Sequence, residues 1–206
     1  GRAKARMPRS LILEPTRELA AQVAENFEIY GKYHSLNKAL IIGGEPMAEQ
    51  VKLLDRGVDV LIATPGRLLD VFDRGHLVMN AVKILVIDEA DRMLDMGFIP
   101  DVERIMSLVS RMRQTLLFSA TMPPEIRRLV NTFMINPKEI IVSPPATPAE
   151  TVSQELVVVA ESHDGEPRGS LSVKRAALRK LIEIENVDNA LIFCNRKREV
   201  GILQRS

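Results

Sequence analysis

The sequence has 206 residues, a formal net charge of +1, 46% hydrophobic and 27% charged residues, and a single cysteine, Cys194. This composition is typical of a globular protein of one or two domains, and it excludes an internal disulfide and a membrane helix of ~18 uninterrupted apolar residues. The near-neutral net charge neither supports nor excludes binding of nucleic acid, because a local basic stripe is sufficient for such binding. No secretory signal is recognisable, and we expect a cytoplasmic protein.

Short apolar runs recur along the first 142 residues. They lie at residues 10–14, 39–42, 60–63, 84–87, 115–118 and 139–142. Runs of Val, Ile and Leu that are apolar on both faces are typical of strands inside a parallel sheet. Helical periodicity at 16–33 and 125–133 predicts helices between them. The sequence therefore predicts an α/β doubly wound parallel sheet.

The composition changes at residues 143–149, where three of seven residues are proline. Such a segment cannot hold a regular helix or a central strand. Beyond it we predict a strand at 155–160, a polar loop at 162–172, a helix at 174–185, a strand at 190–194 and the start of another helix. We therefore predict an incomplete first domain at 1–143, an interdomain linker at 144–151 and the beginning of a second domain at 152–206.

An acidic sequence directly follows one of the predicted strands, because Asp88, Glu89 and Asp91 come after the apolar residues 84–87. In open α/β sheets, ligands bind beyond the carboxyl ends of the strands. An Asp at that position can help to hold Mg²⁺ on nucleotide phosphates, and a neighbouring Glu can orient and deprotonate the attacking water. The same residues alone are compatible with an acidic first turn of a helix.

Six short sequences, in one order, resemble the motifs of the DEAD-box ATP-dependent RNA helicases. They are Pro-Thr-Arg-Glu-Leu-Ala at 15–20, Gly-Gly at 43–44, Thr-Pro-Gly-Arg at 64–67, Asp-Glu-Ala-Asp at 88–91, Ser-Ala-Thr at 119–121 and Leu-Ile-Phe-Cys-Asn at 191–195. The resemblance implies two RecA-like domains, ATP and Mg²⁺ as cofactors, and RNA as a partner bound through its phosphate backbone without sequence preference. It identifies no protein partner, and residues 92–98 look most like bacterial members.

The resemblance assigns RNA contact to Thr16, Arg17, Gly44, Thr64, Gly66 and Arg67. Two of the motifs follow a strand and open a helix, where backbone N–H groups bind anions readily. Threonine hydroxyls and arginine guanidiniums add contacts to phosphate, and glycine permits close approach to the backbone. For either threonine alone, a helix N-cap is the alternative interpretation.

The resemblance also assigns roles to the residues of the acidic motif and to the hydroxyl residues that contact it. Asp88 and Glu89 would be the catalytic and nucleotide-binding residues, with Asp88 meeting Mg²⁺ through water. Asp91, Ser119 and Thr121 would couple hydrolysis to strand separation, because in the family these hydroxyls bond to the last Asp of the acidic motif.

The 206 residues contain no P-loop, since Gly31-Lys32, the one Gly-Lys pair, is followed by Tyr33 and not by Ser or Thr. The family places its P-loop before the motif at 15–20, and further arginines after the last motif found here. We therefore expect an internal fragment of an ATP-dependent RNA helicase that is inactive alone. The alternative is a short product that binds RNA without turnover, and a DNA-directed helicase is disfavoured.

Overall fold

The computed structural model describes residues 3–142, 152–159 and 171–205. The chain divides into two units, Gly1–Thr147 and Pro148–Ser206, which are described separately. The predicted linker at 144–151 and residues 162–170 of the predicted loop lie outside the described residues. The three domain assignments stay predictions.

The first unit is built on a five-stranded sheet in which every pair of neighbouring strands is parallel. The order of the strands across the sheet is β2-β3-β1-β4-β5, so β1 lies at the centre and β5 at one edge. Five of the predicted apolar runs supply these strands, with bounds that differ by at most one residue at either end. The strands are β1 (Ser10–Leu13), β2 (Lys38–Ile41), β3 (Val60–Ala63), β4 (Ile84–Ile87) and β5 (Gln114–Leu117).

Helices cover both faces of this sheet, as a doubly wound fold requires. Alternate residues of β1 point to opposite faces: Leu11 and Leu13 join one buried cluster, and Ile12 joins the other. α1 supplies Ala20 and Ala24 to the second cluster, whereas α3, α5 and α6 pack in the first. The helices are α1 (Arg17–Tyr30), α2 (Met47–Asp55), α3 (Pro65–Asp73), α4 (Ala90–Asp95), α5 (Ile99–Leu108) and α6 (Pro124–Phe133).

The predicted strand at 139–142 is wrong, because these residues carry no strand in the structure. Ile140 and Val142 are 74% and 92% exposed, so the apolar run buries little surface. A strand needs a neighbour that accepts and donates its backbone hydrogen bonds, and none of the described strands pairs with this segment.

The second unit contains two described helices, α7 (Leu171–Ile184) and α8 (Lys197–Gln204). The strands predicted at 155–160 and 190–194 are not formed at any described residue of these runs, and Ala160 lies outside them. Leu156 and Phe193 are 90% and 87% exposed, so the burial that would stabilise a strand is lacking. No helix in the described part of the chain has the length and apolar character to cross a bilayer.

Candidate nucleotide and nucleic-acid sites

All the candidate residues of the first unit follow the carboxyl ends of strands. Because the five strands are parallel, these ends lie along one edge of the sheet. The strand order places the candidate RNA contacts after β2, β3 and β1, and the acidic and hydroxyl residues after β4 and β5. Neighbouring strands are about 4.8 Å apart, so the two groups adjoin at β1 and β4.

The turn between β4 and α4 holds Asp88 and Glu89 in a defined geometry. Glu89 adopts the left-handed conformation (φ 51°, ψ 48°), which is uncommon for a residue with a side chain and is concentrated at functional sites. Its backbone N–H donates to Oδ1 of Asp88 at 2.9 Å. Asp88 is half-buried and Glu89 is exposed, so the turn directs Glu89 to solvent while it orients the Asp88 carboxylate.

Asp91 is joined to both hydroxyl residues that follow β5. Its backbone N–H donates to Oγ of Ser119 at 3.1 Å, and its Oδ2 accepts from the backbone N–H and hydroxyl of Thr121 at 2.8 and 2.9 Å. Partial burial alone would raise the pKa of Asp91, but the hydrogen bonds from Thr121, from Ser119 and from the Arg92 N–H hold that pKa below its usual value. The contact implied by the resemblance is present, and the coupling role stays a prediction.

Glu14 is a buried carboxyl that the sequence analysis did not assign. It follows β1, is 1% exposed, and its Oε1 is buried without a hydrogen-bond partner. Burial, and to a smaller extent the nearby charges of Asp88 and Glu89, together raise the pKa of Glu14 to about 7. Negative charge is therefore concentrated at the centre of this edge, where a cation would relieve the repulsion.

A single carboxylate such as that of Asp88 can be sufficient for a Mg²⁺ ion that binds together with a nucleotide. The described residues contain no group of three or more His, Cys, Asp or Glu side chains that could hold a metal ion by themselves. Mg²⁺ bound with a nucleotide keeps several waters and takes one or two carboxylates together with phosphate oxygens. Asp88, whose Oδ1 is oriented by the Glu89 N–H, is the residue that would hold it.

The two threonines differ in their local contacts. Thr16 is the N-cap of α1, and its Oγ1 accepts from the Leu19 N–H at 3.3 Å, so Thr16 caps this helix, and RNA contact by Thr16 stays a prediction. Thr64 precedes α3 and makes no capping hydrogen bond with its side chain. A Cβ added at Gly66, in the first turn of α3, would meet no atom within 4 Å, so this turn offers an open backbone surface.

The side chain of Arg17 packs directly against Gly44. Gly44 has φ +85°, and a Cβ at this position would lie 2.6 Å from Nη1 of Arg17. Arg17 is exposed, and its guanidinium makes no hydrogen bond or ion pair with the residues that the structure describes. The positive φ and the close approach both require glycine here, and they leave a free cation beside the Gly43–Gly44 backbone.

Arg67, in contrast, is engaged within the protein. Its Nε donates to Oε1 of Gln50 at 3.0 Å and its Nη2 to the Glu45 carbonyl at 2.5 Å. Nη1 lies 3.5 Å from Oδ2 of Asp70, and the side chain is only 16% exposed. A guanidinium has five N–H donors, so two remain for a further acceptor. Phosphate contact by Arg67 stays a prediction.

Comparison with known proteins supports one family. The model of the DEAD/DEAH box helicase family matches residues 2–129. The chain is 42% identical over 194 residues to the ATP-dependent RNA helicase DeaD of Mycobacterium tuberculosis, covering 94% of this chain and 32% of that protein. It is 39% identical over 210 residues to the DEAD-box ATP-dependent RNA helicase 52A of Oryza sativa subsp. japonica, covering 96% and 33%.

A solved structure gives the same result. The crystal structure of a DEAD box protein from the hyperthermophile Methanococcus jannaschii has a TM-score of 0.65 and 34% identity, covering 100% of this chain and 51% of that chain. This likeness confirms the RecA-like α/β fold. The chain spans about a third of the two curated relatives. Because these come from a bacterium and a plant at similar identity, placement among bacterial members stays a prediction.

Proposed function

This chain belongs to the DEAD/DEAH box helicase family, and we propose that the protein carrying it is an ATP-dependent RNA helicase. On this proposal, hydrolysis of Mg-ATP is coupled to local unwinding of an RNA duplex. The observation that carries the proposal is the single edge of the sheet, where the acidic turn after β4 adjoins an exposed cation, Arg17, and the glycine loop against which it packs. The activities named for the relatives point the same way.

Asp88 and Glu89 divide the work of hydrolysis. Asp88 would hold Mg²⁺, which would supply charge neutralisation on the phosphates of ATP. Glu89, exposed beside it, orients the attacking water and accepts its proton. The hydrogen bond from the Glu89 N–H orients the Asp88 carboxylate relative to the backbone of Glu89, which favours catalysis because hydrolysis depends on positioning and electrostatics.

RNA is held on the other half of the edge by its phosphates. Arg17 supplies a cation, the Gly43–Gly44 loop and Gly66 supply accessible backbone, and Thr16 and Thr64 supply hydroxyls near helix N-termini. Contacts of this kind fix the position of a strand without reading its bases. The proposal therefore includes binding without sequence preference.

ATP hydrolysis is connected to RNA unwinding through three residues, Asp91, Ser119 and Thr121. The Asp91 carboxylate belongs to the acidic turn, and its partners belong to the segment after β5. A displacement of either segment changes this contact, so the state of the nucleotide can be transmitted to the position of residues 119–121. Ser119 and Thr121 are on this account coupling residues that take no part in the chemistry.

The isolated 206-residue chain is proposed to be inactive as ATPase and helicase. Its sequence has no P-loop, so a lysine and a ring of backbone N–H donors for the phosphates are lacking. Its β5 is an edge strand, and Phe118 after it is 52% exposed, which favours aggregation. The absence of a P-loop from these 206 residues favours the second candidate function, a short product that binds RNA without turnover.

One experiment tests these alternatives together. The complete open reading frame and the 206-residue chain are expressed side by side, and ATP hydrolysis is measured without nucleic acid, with single-stranded RNA and with DNA of the same sequence. We expect RNA-stimulated hydrolysis from the complete reading frame alone, and stimulation by DNA in place of RNA would contradict the RNA assignment. RNA-stimulated hydrolysis by the short chain would contradict its inactivity. The proposal also includes a cytoplasmic location, which localisation of a tagged protein tests.

A further inference from the structure

Gln50 is a buried polar residue to which no motif assigns a role. It lies in α2, is 4% exposed, and is one of three polar or charged residues found buried in the described part of the chain. An amide in the protein interior lowers stability unless its polar atoms are hydrogen-bonded. The partners of this amide are therefore informative.

Both polar atoms of the Gln50 amide are used, and they reach the glycine loop and the first turn of α3. Nε2 donates to the Ile42 carbonyl at 2.8 Å, directly before Gly43. Oε1 accepts from Nε of Arg67 at 3.0 Å, in the first turn of α3. The orientation of the amide is unambiguous, because only its nitrogen can donate to a carbonyl and only its oxygen can accept from a guanidinium.

A further contact closes the arrangement. Nη2 of Arg67 donates to the carbonyl of Glu45, the residue after Gly44. The loop at residues 43–45 is therefore held at both ends: by Gln50 at Ile42, and by Arg67 at Glu45. Gln50 also contacts Arg67, so a single buried side chain holds both the Gly43–Gly44 loop and the Arg67 guanidinium.

We propose that Gln50 is a positioning residue for RNA, which holds the Gly43–Gly44 loop and Arg67 in the arrangement that accepts a phosphodiester backbone. The inference rests on the proposed function, because it concerns the same RNA site. Gln50 itself is buried and does not touch RNA. Its effect passes through Arg67, which keeps two N–H donors for a phosphate, and through the backbone of the loop.

The structure distinguishes this role from that of an ordinary core glutamine. Gln50 lies outside the acidic turn and the segment after β5, so its loss leaves Asp88, Glu89 and Asp91 in place. A change that only lowers stability would reduce the active fraction of the protein. A change in positioning raises the RNA concentration needed for half-maximal stimulation, and leaves kcat at saturating RNA and KM for ATP unchanged.

The test uses Gln50→Met in the complete open reading frame, because Met keeps the length of the side chain and makes neither hydrogen bond. We expect the RNA concentration for half-maximal ATPase stimulation to rise about tenfold, as for loss of a hydrogen bond to a charged group. Gln114→Met is the matched control, since Gln114 is exposed and lies at the opposite end of the sheet's strands. An unchanged RNA requirement in Gln50→Met would overturn the proposal.

A double-mutant cycle with Arg67→Met tests the route of the effect. Because part of the effect of Gln50 passes through Arg67, the rise in RNA requirement of the double variant should be smaller than the product of the two single-variant rises. Fully additive effects would overturn the proposal. Should Gln50→Met fail to fold, Gln50→Glu takes its place: it can accept from Arg67 but cannot donate to Ile42, so an RNA requirement raised several-fold supports the proposal and an unchanged one overturns it.

These outcomes separate the inference from the proposed function. A wild-type protein whose ATP hydrolysis is not stimulated by RNA would overturn both. A stimulated wild type, together with a Gln50→Met variant that has the same RNA requirement, would overturn the positioning role alone.

Discussion

Thr121 donates two hydrogen bonds to a single oxygen of Asp91, from its backbone N–H at 2.8 Å and from its hydroxyl at 2.9 Å. The two residues belong to segments that follow neighbouring strands, β4 and β5. The contact is charge-assisted and therefore stronger than a bond between neutral groups. It links the acidic turn directly to the segment at residues 119–121.

Loss of the Thr121 hydroxyl should separate unwinding from hydrolysis. In Thr121→Val we expect RNA unwinding to fall about tenfold, because a hydrogen bond to a charged group is lost, while RNA-stimulated ATPase stays within about threefold. Thr132→Val is the control, since its hydroxyl donates to the Arg128 carbonyl within α6. Parallel loss of both activities would place Thr121 in the chemistry and contradict its coupling role.

Glu14 should make stability depend on pH. Its folded-state pKa is about 7, above the ordinary value of 4.5, so the folded protein binds this proton more tightly than the unfolded chain does. The contribution to stability is fully present below about pH 4.5 and is lost as the pH rises through about 7.

Replacement of Glu14 by Gln removes this titration. We expect Glu14→Gln to raise the free energy of unfolding by roughly 1–3 kcal/mol at about pH 8 and by clearly less at about pH 5. Denaturant unfolding at both pH values is the measurement, with the exposed Glu25→Gln as control. An equal change at the two pH values would show that the charge of Glu14 is not responsible.

Arg17 and Arg67 should respond differently to truncation. Arg17→Ala is expected to make the salt dependence of single-stranded RNA binding shallower, by ~0.7 in log–log slope, with little change in stability. Arg67→Ala should also lower the free energy of unfolding by about 1–3 kcal/mol, because Gln50 loses a buried partner. Arg111→Ala, at an exposed site before β5, is the control. Unchanged slopes in both variants would contradict phosphate binding.

The adjacent glycines provide a matched pair. Gly44→Ala should weaken RNA binding, because Gly44 has φ +85° and the new methyl group would displace the Arg17 guanidinium. Gly43→Ala should weaken RNA binding much less, since a Cβ there meets no protein atom within 4 Å and leaves the Arg17 guanidinium in place. Both affinities are measured by fluorescence anisotropy with a non-hydrolysable ATP analogue. Equal affinity in the two variants would remove the argument that residue 44 must be glycine.

Much of the first unit could be predicted from its apolar runs. Strands buried on both faces are apolar throughout, and five such runs supply the five strands. The run at 139–142 has the same composition, yet it forms no strand, because composition does not reveal whether a neighbouring strand is available. The strands predicted at 155–160 and 190–194 are not formed at the described residues of these runs for the same reason.

The site was predicted less completely, because burial and partners are properties of the fold. The motifs identified which residues meet at the edge of the sheet, but not that Arg67 is held by Gln50 and Glu45. Gln50 in a helix resembles a solvated residue, and no sequence signal marks it. Glu14 offered one signal, a charged residue at the end of an otherwise apolar run.

The central claim is that Glu89 activates water for ATP hydrolysis, and Glu89→Gln in the complete open reading frame tests it most directly. RNA-stimulated turnover and ATP affinity are measured together, with Glu125→Gln, an exposed site in the first turn of α6, as control. We predict that turnover falls about a hundredfold or more, as for loss of a general base, while ATP affinity is retained. Near-normal turnover in Glu89→Gln would contradict the assignment.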